Sequence, residues 1–86
     1  MDNAEQILNE LGLSKNEAKV YTSLLETGQT NVTKLAHYCK IHRANVYDSL
    51  NKLIEKGLVN YIEKKKSKFF EATDPKHLML ILKDKE

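Results

Sequence analysis

Cysteine, proline and glycine are all scarce in this sequence, with one, one and three residues respectively in 86. A single thiol, Cys39, excludes an intramolecular disulfide, and no signal-peptide pattern opens the chain, so a cytoplasmic protein is expected. One proline and no low-complexity tract argue against disorder in a chain that is 41% hydrophobic and 30% charged. Long apolar runs are missing too: Leu78 to Leu82 falls far short of the roughly 20 residues that cross a bilayer, so no membrane segment is expected. There is no glycine-rich phosphate loop, no Ser/His/Asp set with elbow glycines and no carboxylate pair in a foreseeable pocket. Neither an enzyme nor a cofactor is therefore expected.

What is there fits a single domain over 1–86, since a second folded unit has no room. A chain this short has a thin stability margin, which favours a partner subunit. The net charge of +2 hides an uneven distribution. Between Lys34 and Lys68 nine basic residues face three acidic ones, a surplus of six, while the rest of the chain carries five basic against nine acidic. A basic centre between acidic ends suits a surface that faces a polyanion.

Periodicity orders the chain. Ile7, Leu8 and Leu11 mark a short helix over 2–11 that stops at Gly12. Ser14 and Glu17 form a capping box for a second helix with Ala18, Tyr21, Leu24 and Leu25 as its buried stripe. Gln29 and Thr30 are extended at most. Asn31 caps a helix carrying Val32, Leu35, Ala36 and Cys39. After the tight connection Lys40–Ile41–His42, Val46, Leu50, Leu53 and Ile54 mark a longer helix that stops at Gly57, with Leu58 placed for a Schellman contact. Two helices across so short a turn make a helix-turn-helix. The stretches 58–63 and 68–72 read as a β-hairpin with a basic tip, a wing, and Asp74-Pro75 starts a last helix. The expected fold is α+β, mainly α: a winged helix-turn-helix with a two-stranded wing and extra terminal helices.

In such a fold the second helix, about 43–56, lies in the major groove. With its apolar side turned in, His42, Arg43, Ala44, Asn45, Asp48 and Ser49 are left for base edges, Arg43 suiting guanine and Asn45 adenine. Lys52, at the edge of the same helix, would contact the DNA backbone. Lys64, Lys65, Lys66 and Lys68 on the wing would reach phosphates or the minor groove, with Thr30, Thr33, Lys34 and Lys40 holding the backbone on the other side. The expected ligand is double-stranded operator or promoter DNA. A wing-bearing protein-interaction module, or a non-specific architectural DNA-binding protein, would share the fold but not the use of Arg43 and Asn45.

The segment His77 to Leu82 is apolar almost all round, so a homodimer is expected through Ile7, Leu8, Leu11, Leu78, Met79, Ile81 and Leu82. His37, Cys39 and His42 carry ligand-type side chains, but Cys39 falls on an apolar stripe with no fourth ligand near, so no metal site is expected.

Together, Leu11-Gly12-Leu13-Ser14 with Glu17-Ala18 and Val20-Tyr21, then Leu35-Ala36, then Arg43-x-x-Val46-Tyr47 running on through Leu50, Leu53 and Lys56-Gly57-Leu58-Val59, resemble the N-terminal domain of TrmB-type archaeal transcriptional regulators. The resemblance implies a winged helix bound to promoter or operator DNA. His42 stands where that family usually has proline, which predicts a less rigid start to the recognition helix. Larger members carry a C-terminal sugar-binding domain, whereas this chain ends at Glu86, so sugar sensing is not expected of these residues.

Overall fold

A computed structural model describes Glu10 and 12–73. The expected helix over 2–11, Glu10 apart, and the one from Asp74 onward lie outside the described residues, as do the dimer candidates Ile7, Leu8, Leu11, Leu78, Met79, Ile81 and Leu82.

The capping box forms as its spacing predicts. Ser14 Oγ accepts from the Glu17 amide at 3.2 Å, Glu17 Oε1 accepts from the Ser14 amide at 3.2 Å, and helix α1 follows over Lys15–Thr27. Its buried face runs through Glu17, Val20, Tyr21 and Leu24. Leu25, expected in that stripe, is instead exposed. Centring the face on Val20 and Leu24 rotates Leu25 to its edge, where no described element covers it.

Asn31 accepts from the Lys34 amide at 2.8 Å and caps α2, Val32–Cys39. Lys40 ends α2 in the left-handed region (φ 59°), and the Ile41 amide donates back to the Ala36 carbonyl at 3.3 Å. His42 then caps α3, Arg43–Glu55. Its Nδ1 accepts from the Ala44 amide at 3.4 Å, so a side-chain hydrogen bond ties the start of α3. At the far end Gly57 turns with φ 78°, and the Leu58 amide donates to the Leu53 carbonyl at 2.9 Å, which carries Leu58 into the core.

Strands β1, Val59–Lys64, and β2, Ser67–Ala72, pair antiparallel with Val59 opposite Ala72 and Lys64 opposite Ser67. The strands run closer to the tip than expected, leaving only Lys65 and Lys66 in the turn. Thr30 adds an isolated bridge on the other edge of β2, exchanging hydrogen bonds of 3.0 and 2.7 Å with Phe70. That bridge fastens the base of the wing to the segment before α2 and seats Phe70 in the core.

The core lies where the three helices meet the wing base. Tyr21, Leu24, Leu35, Val46, Leu50, Leu53 and Leu58 are essentially inaccessible to solvent. Each such aliphatic side chain contributes about 1.5–3 kcal/mol by leaving water. Across this core the buried Glu17 carboxylate takes the Lys56 ammonium at 3.1 Å, tying α1 to the end of α3.

Candidate nucleic-acid interface

Helix α3 buries Val46, Ser49, Leu50 and Leu53. At 100° per residue this turns Ala44, Asp48, Asn51 and Glu55 straight outward, Arg43 and Tyr47 to one flank, and Asn45 and Lys52 to the other. All of these are exposed. Ser49, expected among the base-contacting residues, is corrected: it is 3% exposed, because it lies one turn beyond Val46 on the face that packs against the core. Asp48 and Lys52 form an exposed ion pair of 3.5 Å along the helix.

Of the exposed residues of α3, Tyr47, Asn51 and the acidic Glu55 stand outside the set expected from sequence, and the first two can offer hydrogen bonds to DNA. Tyr47 and Asn51 follow Arg43 and Ala44 by four and seven positions, so the helical period alone, carried one turn further, picks them out.

The wing projects beside the Arg43–Tyr47 flank. Alternation places Tyr61, Glu63, Lys68 and Phe70 on one face of the hairpin. Phe70 packs into the core, and its ring centroid lies 5.7 Å from that of Tyr61. The Lys68 ammonium sits 4.8 Å over the Tyr61 ring. Lys65 and Lys66 both have positive φ, 49° and 66°, the backbone signature of a type I′ hairpin turn that ordinarily takes Asn-Gly.

Below the overhanging wing a solvent-open notch of about 400 Å³ is lined by Asn31, Val32, Thr33, Arg43, Tyr47, Glu63, Lys66, Ser67 and Lys68. Thr33, Arg43, Lys66 and Lys68 are thus brought together from three elements. Thr30 and Lys34 are not part of it: they line a second, largely apolar hollow of about 500 Å³ with Thr27, His37, Tyr38 and Thr33, which borders both. Thr30 is itself buried, its backbone taken up by the bridge to Phe70, which corrects its expected role as an accessible backbone contact. The Tyr38 hydroxyl donates to Glu26 at 2.6 Å, and that bond, with lesser help from burial and the carboxylate charge, raises the phenol above its ordinary pKa. Lys40 and Lys64 are exposed outside both hollows.

His37 and His42 are exposed while Cys39 is a buried core residue. Among the described residues no group of His, Cys, Asp or Glu could hold a metal ion, and no helix is long and apolar enough to cross a membrane.

The sequence pattern of the family described as sugar-specific transcriptional regulator TrmB matches residues 8–76. The chain belongs to the TrmB family. Among solved structures it is similar to a possible transcriptional regulator from Methanosarcina mazei Go1, at 18% identity and a TM-score of 0.83, covering 96% of this chain and 76% of that one. It is also similar to TrmBL2, described as an archaeal chromatin protein with a novel mode of DNA binding, at 25% identity and a TM-score of 0.82, covering 96% of this chain and 32% of that one. YusO from Bacillus subtilis shares the fold at 18% identity and a TM-score of 0.72, over 90% of this chain and 58% of that one. The chain thus spans little more than half of YusO and a third of TrmBL2. No curated protein sequence matches it. As a TrmB-family winged helix it is a DNA-binding domain of the transcription-regulator type.

Proposed function

We propose that this domain binds double-stranded DNA sequence-specifically, with α3 in the major groove and the wing on the adjacent backbone. One observation carries the reading. Every non-glycine residue of positive φ among the described residues is a lysine: Lys40 at the helix-turn-helix turn and Lys65 and Lys66 at the wing tip. Glycine or asparagine would sit there more easily, by about 1 kcal/mol or more per residue. Charge stands at turns that local conformation disfavours, at the connection into α3 and at the wing tip, which fits contact with phosphates.

Within this reading His42, Ala44, Asn45, Asp48 and Asn51 meet base edges, with Asn45 or Asn51 suited to adenine. Thr33, Lys34, Lys40, Lys52, Lys64, Lys65, Lys66 and Lys68 supply backbone contacts. The domain acts as a homodimer through the apolar sequence around Leu78–Leu82 and Ile7–Leu11, presenting two α3 helices to half-sites about 34 Å apart or further. Sedimentation equilibrium of the protein with and without duplex tests that state. The reading implies a chain that performs no catalysis of its own.

The test of DNA recognition is selection from a pool of random duplexes, followed by anisotropy titrations over a salt series against the selected and a scrambled duplex. The selected duplex should win by about a thousandfold or more, and Asn45→Ala or Asn51→Ala should cost about 1–3 kcal/mol on it alone. Changing Lys64, Lys65 and Lys66 to alanine should flatten the salt slope on both duplexes. Equal affinity for every duplex would leave an architectural protein instead.

A further inference from the structure

We propose that the notch between α2, α3 and the wing seats one backbone phosphate of the duplex, gripped from opposite sides by Arg43 and Lys68. This rests on the DNA reading above and gives Arg43 a phosphate, not the guanine edge that its place at the start of α3 suggests from sequence.

Geometry separates Arg43 from the base-reading face. It lies with Tyr47 on the flank of α3 turned to the wing, and both line the notch, whereas Ala44, Asp48 and Asn51 point straight out and do not. The charge in the notch is lopsided. Arg43, Lys66 and Lys68 converge there against the single carboxylate of Glu63, and among the described residues none of the three cations is ion-paired. Lys68 stands opposite Glu63 in the strand register yet places its ammonium over the Tyr61 ring, and Tyr61 in turn leans on the buried Phe70. The cation is therefore held before any ligand arrives, which lowers the entropy lost on binding.

Neutral donors complete the site. The amides of Val32 and Thr33 open α2 and have no acceptor inside their own helix, and the hydroxyls of Thr33, Tyr47 and Ser67 line the same hollow. Three cations, two free amides and three hydroxyls around a solvent-open cleft match the oxygens of a phosphodiester whose strand passes through. A phosphate held at once by the recognition helix and the wing would fix the angle at which α3 enters the groove, so the notch orients while the outward residues read sequence.

The experiment takes the tightest duplex from the selection and replaces each phosphate in turn by a neutral methylphosphonate. For the wild-type protein, neutralising one position per half-site should weaken binding about tenfold, the scale of one charge-assisted contact. In Arg43→Ala, and separately in Lys68→Ala, the same replacement should cost only about threefold, because one of the two cations that grip the phosphate is already lost. Both residues are exposed, and circular dichroism of the variants confirms the fold. Glu63→Gln should tighten binding to selected and scrambled duplexes alike. Losses that multiply at every position, or an Arg43→Ala variant that selects different bases, would overturn the proposal while leaving DNA recognition intact. Competition by inorganic phosphate beyond its effect on ionic strength would assign the notch to a small phosphorylated ligand and overturn the duplex assignment. Failure of the wild-type protein to bind any duplex at low salt would remove the DNA reading and the notch with it.

Discussion

Lys56→Met cuts the tie between α1 and the end of the recognition helix while keeping a long side chain of good helix propensity. The Glu17 carboxylate is only 5% exposed, and the Lys56 side chain is 37% exposed. Removing one partner of a fully buried pair costs about 3–5 kcal/mol, and a surface pair is worth about 0–1. Here the charge left behind is the buried one, but water already reaches the site beside Lys56, and the Ser14 amide still donates to Glu17 Oε1. The expected loss lies between those limits, at about 2 kcal/mol. Glu17→Gln removes the charge yet can still complete the capping box, so it should cost about 1 kcal/mol. In that background Lys56→Met should cost far less, giving a coupling of about 1 kcal/mol or more. Urea unfolding followed by circular dichroism measures all four corners of the cycle. A Lys56→Met variant within about 0.5 kcal/mol of wild type, with no coupling to Glu17, would refute the view that this pair holds α1 against α3.

Three other outcomes follow from the geometry. Lys65→Asn combined with Lys66→Gly should stabilise the domain by about 1 kcal/mol in thermal unfolding by relieving two left-handed residues, while lowering the salt slope of DNA binding by about two. Tyr21 is 1% exposed and its hydroxyl has no hydrogen-bond partner among the described residues, so Tyr21→Phe should be neutral or stabilising by up to about 1 kcal/mol. Burial also raises the Tyr21 phenol above 10.0, so the folded state keeps a proton that the unfolded chain gives up. Stability should hold below pH 10 and fall as pH rises past it, and Tyr21→Phe should flatten that fall in a pH series of urea midpoints. Asn31→Ala should cost about 1 kcal/mol of stability by removing the cap of α2, whereas Asn31→Ser, which keeps a capping oxygen, should lose little in the same urea measurement.

The three described helices were legible because most of their ends are written in local chemistry. Ser14 with Glu17, Asn31, and Gly57 with Leu58 act through side-chain or backbone bonds within a few residues. The bridge from Thr30 to Phe70 was not legible, since two hydrogen bonds across 40 positions leave no periodic trace, and it withdrew Thr30 from the accessible surface. The two-residue wing turn was equally hidden, because Lys65 and Lys66 carry none of the Asn-Gly signature that their φ values call for. Ser49 was misplaced because its polarity suggested solvent while the helical period put it beside Leu50 and Leu53. The surplus of basic residues in the middle of the chain was visible at once. That Arg43, Lys66 and Lys68 share one notch depends on where the wing folds over.

The central claim, that α3 and the wing form the DNA-facing surface, is tested most directly by adding the selected duplex to ¹⁵N-labelled protein and following backbone amide shifts. The largest changes should fall on Val32 and Thr33, on 42–52 along the exposed face of α3, and on 63–68 of the wing, with the exposed side of α1 from Lys15 to Glu26 unmoved. Changes centred on α1, with α3 and the wing silent, would contradict it.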